Sequence, residues 1–166
     1  MNIFLTGMMG SGKSSVGQLL SAYLNSTFYD LDRGIEKRFN LSIKDIFQTY
    51  GESKFREVES ELLIQTKKIE NNIIATGGGL PTIEKNVIIM KNHGEIIWLD
   101  ASIDLIFKRL FNSKEIRPLI GSNVKKENIL NLYNSRLNVY NIADIKIDTN
   151  GKDIDQIIKE IKKNYG

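Results

Sequence analysis

The 166-residue chain contains no cysteine, one histidine and two prolines. The absence of cysteine excludes disulfide bonds and thiolate chemistry, and it is compatible with a reducing compartment. The single histidine, His93, precedes Gly94 at the point where a helix is predicted to end. We therefore expect His93 to lie at a helix terminus and to take no part in catalysis.

Long apolar runs are missing as well. No run is long enough to cross a bilayer, and the N-terminus leads directly into a short apolar strand without a basic leader. We therefore expect a cytoplasmic protein without a membrane partner.

Charge of either sign is not concentrated in any part of the chain. The formal net charge is +3, and the lysines are scattered along the sequence, so no basic face for nucleic acid is predicted. A hydrophobic content of 41% and a charged content of 26% are ordinary for a globular domain. This length and composition predict a single domain over residues 1–166, with a monomer as the expected state.

Short apolar segments alternate with helical patterns along the chain. A helix is predicted to start at Ser42 and stop at Gly51, and a longer one follows it. Such alternation requires crossover connections and therefore a mostly parallel sheet with helices on both faces. Strands are predicted at 2–5, 27–30, 73–75, 95–99 and 144–148, with further helices near 82–91, 102–111, 126–140 and 153–163.

The segment from Gly7 to Ser14 fits the phosphate-binding pattern of glycine, four free positions and Gly-Lys-Ser. Its glycines let backbone N–H groups turn inward around phosphate oxygens, and the helix that follows adds its own unpaired N–H groups. Lys13 is predicted to reach the β- and γ-phosphates, and Ser14 to ligate Mg²⁺. The residues expected to bind the nucleotide here are Gly10, Ser11, Gly12, Lys13, Ser14 and Ser15.

A phosphate loop alone leaves ATPases, GTPases and kinases open. The guanine-specific Asn-Lys-x-Asp signature is absent, which disfavours molecular switches. Phosphoryl transfer to a hydroxyl needs a carboxylate near the acceptor, and Asp32 is a candidate for this role. Its alternative role is that of a helix N-cap. Taken alone, Arg56 is interpreted as an exposed helix arginine paired with Glu59 or Glu52, and Arg136 as a solvated arginine on the helix before Tyr140.

The polar motifs taken together resemble the shikimate kinases in order and approximate spacing, over essentially the whole chain. The triple glycine and the Arg-Pro-Leu segment are the most diagnostic of these motifs. The resemblance rests on the phosphate loop, Asp30-Leu31-Asp32, the segment Phe55 to Glu59, Gly77-Gly78-Gly79, Arg117-Pro118-Leu119, and Arg136 with Tyr140.

The resemblance implies a three-layer P-loop kinase fold with a central parallel five-stranded sheet, a mobile lid at about 112–125 and a substrate-binding helical region at about 33–61. It implies ATP-dependent phosphorylation of the 3-hydroxyl of shikimate, in the chorismate route to aromatic amino acids. The implied catalytic residues are Lys13, Asp32 and Arg117, the implied shikimate contacts are Asp32, Arg56, Gly78 and Arg136, and Arg109 and Arg117 are the further nucleotide contacts.

Two departures from the family pattern concern the adenine pocket. Asp148-Thr149-Asn150 is followed by Gly151 where a basic residue is frequent, and the segment between Arg109 and Arg117 is slightly long. Two alternatives also stay open. One is a gluconate or nucleoside monophosphate kinase of the same fold, and the other is a kinase-like module that binds nucleotide without catalysis.

Overall fold

The computed structural model describes residues 1–113, 118–121 and 123–165, and a five-stranded sheet lies at its centre. The strands are β1 (Asn2–Thr6), β2 (Thr27–Asp30), β3 (Asn72–Ala75), β4 (Gly94–Asp100) and β5 (Ile145–Asp148). Neighbouring strands are all parallel, in the order β2-β3-β1-β4-β5. The predicted parallel five-stranded sheet is confirmed, and β1 pairs on both sides, with β3 and with β4.

Helices cover both faces of this sheet. Ile3 and Leu5 of β1 face one helical layer, whereas Phe4 between them faces the other, as the two-residue period of a strand requires. The three-layer architecture is therefore confirmed. The helices are α1 (Lys13–Tyr23), α2 (Leu31–Phe39), α3 (Ile43–Gln65), α4 (Glu84–His93), α5 (Ile103–Phe111), α6 (Lys126–Tyr140) and α7 (Ile154–Asn164), with short 3₁₀ turns at Thr66–Lys68 and Leu80–Thr82.

Helix α1 buries smaller residues than its apolar pattern predicts. Val16 and Leu20 are buried as expected, but Leu19 is 37% exposed. The helix turns Gly17 toward the sheet instead, where a Cβ would lie 3.1 Å from Leu5 Cδ1 and would meet the ring of Phe28. The small residue lets the helix that follows the phosphate loop lie close to β1 and β2.

The helices that follow β2 begin at polar caps. Asp30, and not Asp32, is the N-cap of α2, and its side chain accepts a hydrogen bond from the Arg33 N–H at 3.3 Å. Ser42 caps α3 as predicted. The predicted stop at Gly51 is confirmed as a kink, because this residue is non-helical, with φ 79° and ψ 168°, and separates two helical segments within α3. No helix among the described residues is long and apolar enough to span a membrane.

The residue pair His93–Gly94 joins α4 directly to β4. His93 ends the helix as predicted, with Nδ1 2.9 Å from the Ile89 carbonyl oxygen. Gly94 lies against the first residue of β1, where a Cβ would come within 2.8 Å of the Asn2 carbonyl carbon and of the Phe4 ring. A glycine is therefore needed here for the close approach of two central strands.

Gly94→Ala should lower the free energy of unfolding by about 1–3 kcal/mol, because the new methyl group collides with backbone that cannot rotate away. The measurement is urea unfolding. Gly34→Ala is the matched control, since its Cβ would meet only the end of Leu62 at 3.2 Å and alanine favours a helix by up to about 1 kcal/mol. Equal effects of the two substitutions would contradict this account of Gly94.

Candidate active site

A cavity of about 760 Å³ opens beyond the carboxyl ends of β1, β2 and β3. It brings together nearly all of the residues that the sequence singles out for the site, which come from five helices and two loops. Arg117 lies outside the described residues, although its neighbours Pro118 and Leu119 line the cavity. The predicted site residues that line it are Gly10, Ser11, Gly12, Lys13, Ser14, Ser15, Asp32, Arg56, Gly78, Arg109 and Arg136.

The phosphate loop has the backbone conformation that an anion-binding nest requires. Gly10 and Gly12 have φ of 76° and 101°, in the left-handed region that favours glycine. Gly12 is the N-cap of α1, and no described side chain caps this end of the helix. The Ser11 hydroxyl is buried beside the loop without a hydrogen-bond partner among the described residues. The backbone N–H groups and the Ser11 hydroxyl can donate hydrogen bonds to phosphate oxygens.

Lys13 lies over the same loop. Its Nζ donates to the carbonyl oxygens of Gly7 and Met8, each at 2.9 Å. These contacts keep the ammonium group at the mouth of the nest, where a polyphosphate would add its negative charge.

Ser14 and Asp30 form a hydroxyl–carboxylate pair at the other side of the loop. The Ser14 hydroxyl donates to Asp30 Oδ2 at 2.6 Å. Among the described residues there is no cluster of three or more histidine, cysteine, aspartate or glutamate side chains that could hold a metal ion alone. The donor set therefore fits Mg²⁺, which keeps several water ligands and takes phosphate oxygens, better than a metal held by the protein only.

Arg109 reaches the loop from α5. Its Nη1 donates to the Gly10 carbonyl oxygen at 2.7 Å, and partial burial lowers the pKa of its guanidinium group. The guanidinium therefore lies on the nucleotide side of the cavity. Lys152, one residue beyond the unusual Gly151, also lines the cavity and pairs with Glu160.

Arg56 occupies the opposite end of the cavity between two carboxylates of its own helix. Its Nη1 donates to Glu59 Oε2 at 2.7 Å, while Nε and Nη2 both contact Glu52 Oε1, at 3.3 and 3.2 Å. Its side chain is 15% exposed. Burial lowers the pKa of Arg56, but the two glutamates outweigh burial and the net direction is upward. A Cβ on Gly79 would lie 2.6 Å from Arg56 Cζ, so this glycine makes room for the guanidinium.

Arg136 approaches the same glycines from α6. It is 5% exposed, and its Nη1 lies 3.1 Å from the position that a Cβ on Gly78 would take. Arg136 is thus a buried residue and not the solvated helix arginine of the alternative interpretation. Two guanidinium groups from different helices meet at Gly78 and Gly79.

Asp32 follows the N-cap of α2 and faces the first of the three glycines. Its Oδ1 lies 3.0 Å from the position of a Cβ on Gly77. Because Asp30 caps the helix, the alternative role of Asp32 as that cap is wrong. Asp32 is left on the cavity wall between the phosphate loop and the arginines.

Glu59 is a site residue whose burial the sequence reasoning missed, although its pairing with Arg56 was one of the alternatives and is confirmed. Its side chain is fully buried, and burial raises its pKa to about 7 even though Arg56 opposes the shift. Oε1 has no hydrogen-bond partner among the described residues. The available signal was the Arg-x-x-Glu spacing beside the apolar Phe55 and Val58, which places a charged pair on the buried side of a helix.

Tyr140 connects this end of the cavity to the core. Its hydroxyl donates to the Gly78 carbonyl oxygen at 2.7 Å, and burial raises its pKa although Arg136 opposes the shift. The ring lies 5.7 Å from that of Trp98. Trp98 Cδ1 in turn lies 3.4 Å from the position of a Cβ on Gly7, beneath the phosphate loop.

The family model for shikimate kinase matches residues 9–165. The chain belongs to the shikimate kinase family. This membership confirms the enzyme class and function predicted from the sequence, and it decides against a gluconate or nucleoside monophosphate kinase. As a kinase of this family the chain uses ATP and acts on a small molecule.

Individual shikimate kinases are similar to this chain over almost its full length. The shikimate kinase of Sulfurihydrogenibium sp. (strain YO3AOP1) is 42% identical over 160 residues, which are 96% of this chain and 95% of that protein. The structure of a shikimate kinase from Acinetobacter baumannii in complex with shikimate has a TM-score of 0.92 and 31% identity, covering 98% of this chain and 90% of that one. The Aquifex aeolicus shikimate kinase structure has a TM-score of 0.85 and 41% identity, with 99% and 95% covered.

Tyr140→Phe should lower the free energy of unfolding by about 1–3 kcal/mol, because the partly buried Gly78 carbonyl loses its donor. Urea unfolding measures the effect. Tyr133→Phe is the control, since its hydroxyl donates to Asp100, which keeps Lys146 as a partner at 2.9 Å. The loss for Tyr133 should stay below about 1 kcal/mol. A larger loss for Tyr133 than for Tyr140 would contradict the role given to the Gly78 bond.

Proposed function

We propose that this chain transfers the γ-phosphoryl group of ATP to the 3-hydroxyl of shikimate, giving shikimate 3-phosphate and ADP. The observation that carries the proposal is the meeting of Arg56 and Arg136 at Gly78 and Gly79, in the same cavity as the phosphate loop. Two guanidinium groups are suited to bind a planar carboxylate such as that of shikimate. A phosphate loop does not need such a pair to bind its nucleotide.

The donor end binds ATP through the loop. Backbone N–H groups of Gly10 to Ser15 surround the phosphates, and Lys13 moves from its two carbonyl contacts toward the β- and γ-phosphates. Ser14 would hold Mg²⁺, and Asp30, which accepts from the Ser14 hydroxyl, would accept hydrogen bonds from water around the ion. The ion would neutralise the charge that builds up on the phosphates. Arg109 stacks on the adenine from the side of Gly10 and Gly12.

The acceptor end binds shikimate through its carboxylate and hydroxyl groups. Arg56 and Arg136 hold the carboxylate, and the Gly78 N–H donates to the substrate where a side chain would collide with the ring. Asp32 receives or orients the proton of the 3-hydroxyl, so that an oxygen lone pair points at the γ-phosphorus. Arg117 closes with the lid of about 112–125 and stabilises the charge of the transferring group, an assignment that rests on its place in the sequence.

The working unit in this proposal is a single chain in the cytoplasm that needs no nucleic acid and no membrane. The site supports a single chain as the working unit, because the described residues of one chain supply both a donor end and an acceptor end.

The test is a coupled assay for ADP release with ATP, Mg²⁺ and a panel of hydroxylated acids. We expect turnover that depends on shikimate and not on gluconate. ATP binding without turnover on any acid would support the alternative of a non-catalytic kinase-like module and would overturn the proposal.

Arg136→Ala should raise the KM for shikimate by about 30-fold or more and leave the KM for ATP within about twofold, because only the carboxylate loses a buried cation. Steady-state kinetics with each substrate varied measures both values. Arg38→Ala is the matched control, as this arginine pairs with Glu61 at the exposed surface, and little change is expected. Equal losses for the two substrates would contradict the assignment of Arg136.

Asp32→Asn should lower kcat by about 100-fold or more with the fold intact, since a positioned proton acceptor contributes that much. Turnover and circular dichroism are measured together. Asp45→Asn removes a carboxylate that contacts Ser42 outside the cavity and should keep kcat. An Asp32 variant that fails to fold would indicate that this carboxylate is needed for the structure.

A further inference from the structure

Glu59 carries a carboxylate that the proposed chemistry does not use. It is fully buried, Oε2 accepts from Arg56, and Oε1 has no partner among the described residues. An unpartnered buried carboxylate oxygen is costly, and a proton on it reduces that cost. The titratable groups that face it are Arg56 with its partner Glu52 on α3, Asp32 on α2, and Arg136 with Tyr140 on α6.

The hydrogen bonds of Arg56 show where a bound carboxylate would lie relative to Glu59. A guanidinium group has five N–H donors, and the two glutamates already take three of them. The remaining donors are one on Nη1 and one on Nη2. A carboxylate that bridges these two nitrogens shares Nη1 with Glu59 Oε2, which brings the two negative oxygens to roughly 5 Å from each other.

That distance is short enough for the two carboxylates to affect each other's protonation. Asp32 adds a further negative charge on the same side, while Arg136 and Arg56 oppose it. The Arg56 guanidinium would then be shared by three carboxylates, those of Glu52, Glu59 and the bound acid. The site is largely buried, so their charges are weakly screened. A neutral Glu59 removes one of the three charges and can still accept the Arg56 hydrogen bond through its carbonyl oxygen.

We propose that Glu59 takes up a proton when the carboxylate of shikimate binds, which makes it a proton-linked positioning residue for the acceptor. The inference rests on the proposed function, because that function supplies the third carboxylate. The proton comes from the buffer and forms an O–H bond on Oε1, and Oε2 stays on Arg56.

The direction of the pH dependence follows from this exchange. Glu59 has a pKa of about 7 in the free protein, and a neighbouring carboxylate raises the pKa further in the complex. Between these two values the complex holds more protons than the free protein, so affinity falls as the pH rises. The dissociation constant should be independent of pH below about 7 and should rise up to about tenfold per pH unit above it.

Calorimetric titration of shikimate into the full chain, without nucleotide, tests the inference. The titration is run at about pH 8 in two buffers with different ionisation enthalpies, and the difference in binding enthalpy gives the number of protons exchanged. We expect uptake of a large fraction of one proton and a dissociation constant that rises with pH in a parallel series.

Two variants separate Glu59 from other sites where a proton could bind. Glu59→Gln keeps the volume and an acceptor for Arg56, so it should abolish proton uptake and flatten the pH series. His93→Gln removes the single histidine, which lies at the end of α4 and bonds Ile89, and should keep the uptake of the unmodified chain. The N-terminal ammonium donates to Asn71, outside the residues that line the cavity.

Shikimate binding without proton uptake in the unmodified chain would overturn this inference and leave the proposed function in place. Uptake that persists in Glu59→Gln would also overturn it. If circular dichroism shows that Glu59→Gln does not fold, the inference is decided by the unmodified chain alone. The deciding measurements are then the number of protons taken up, from the two buffers, and the change of the dissociation constant with pH. Absence of any shikimate binding would overturn the proposed function, and the inference with it.

Discussion

The buried ion pair between Arg56 and Glu59 is the interaction on which the acceptor end of the cavity depends. A buried charge is tolerated only with a partner, and each member of this pair makes the other possible on the inner side of α3. The pair lies against Gly77 and Gly79, where any side chain would collide with it. The triple glycine therefore serves packing as much as chain flexibility, because it lets two charged side chains lie flat against the backbone that ends β3.

The donor end is organised by the sheet. Its strands are parallel, so the phosphate loop after β1, the carboxylates after β2 and the glycines after β3 all emerge at one edge. Asp30 joins two of these features, since it accepts from Ser14 of the loop and caps the helix that carries Asp32. These two neighbouring hydrogen bonds thus fix the position of Asp32 relative to the phosphate loop.

Much of this arrangement was predictable from the sequence, for physical reasons. The strands, the phosphate loop and the cap at Ser42 are local features with strong patterns, and the structure reproduces them. The burial of Gly17 on the inward face of α1 was not predictable, because it depends on contacts with Leu5 and Phe28 of two strands. For Glu59, the Arg-x-x-Glu spacing indicates the pairing with Arg56, but its full burial depends on elements that meet α3 only in the folded protein. Either Asp30 or Asp32 could cap the helix, depending on whether α2 begins two residues earlier or later. The types of residue alone do not fix that starting point.

Trp98 lies in β4 between the two ends of the cavity. It is the one tryptophan of the chain, it is buried, and it lies beneath Gly7 on one side and beside Tyr140 on the other. Tyr140 holds Gly78, so the indole touches the supports of both ligand positions. The unmodified protein thus carries a single tryptophan beside the residues that support both proposed ligand positions, so tryptophan emission is a probe for both ends of the cavity that needs no attached label.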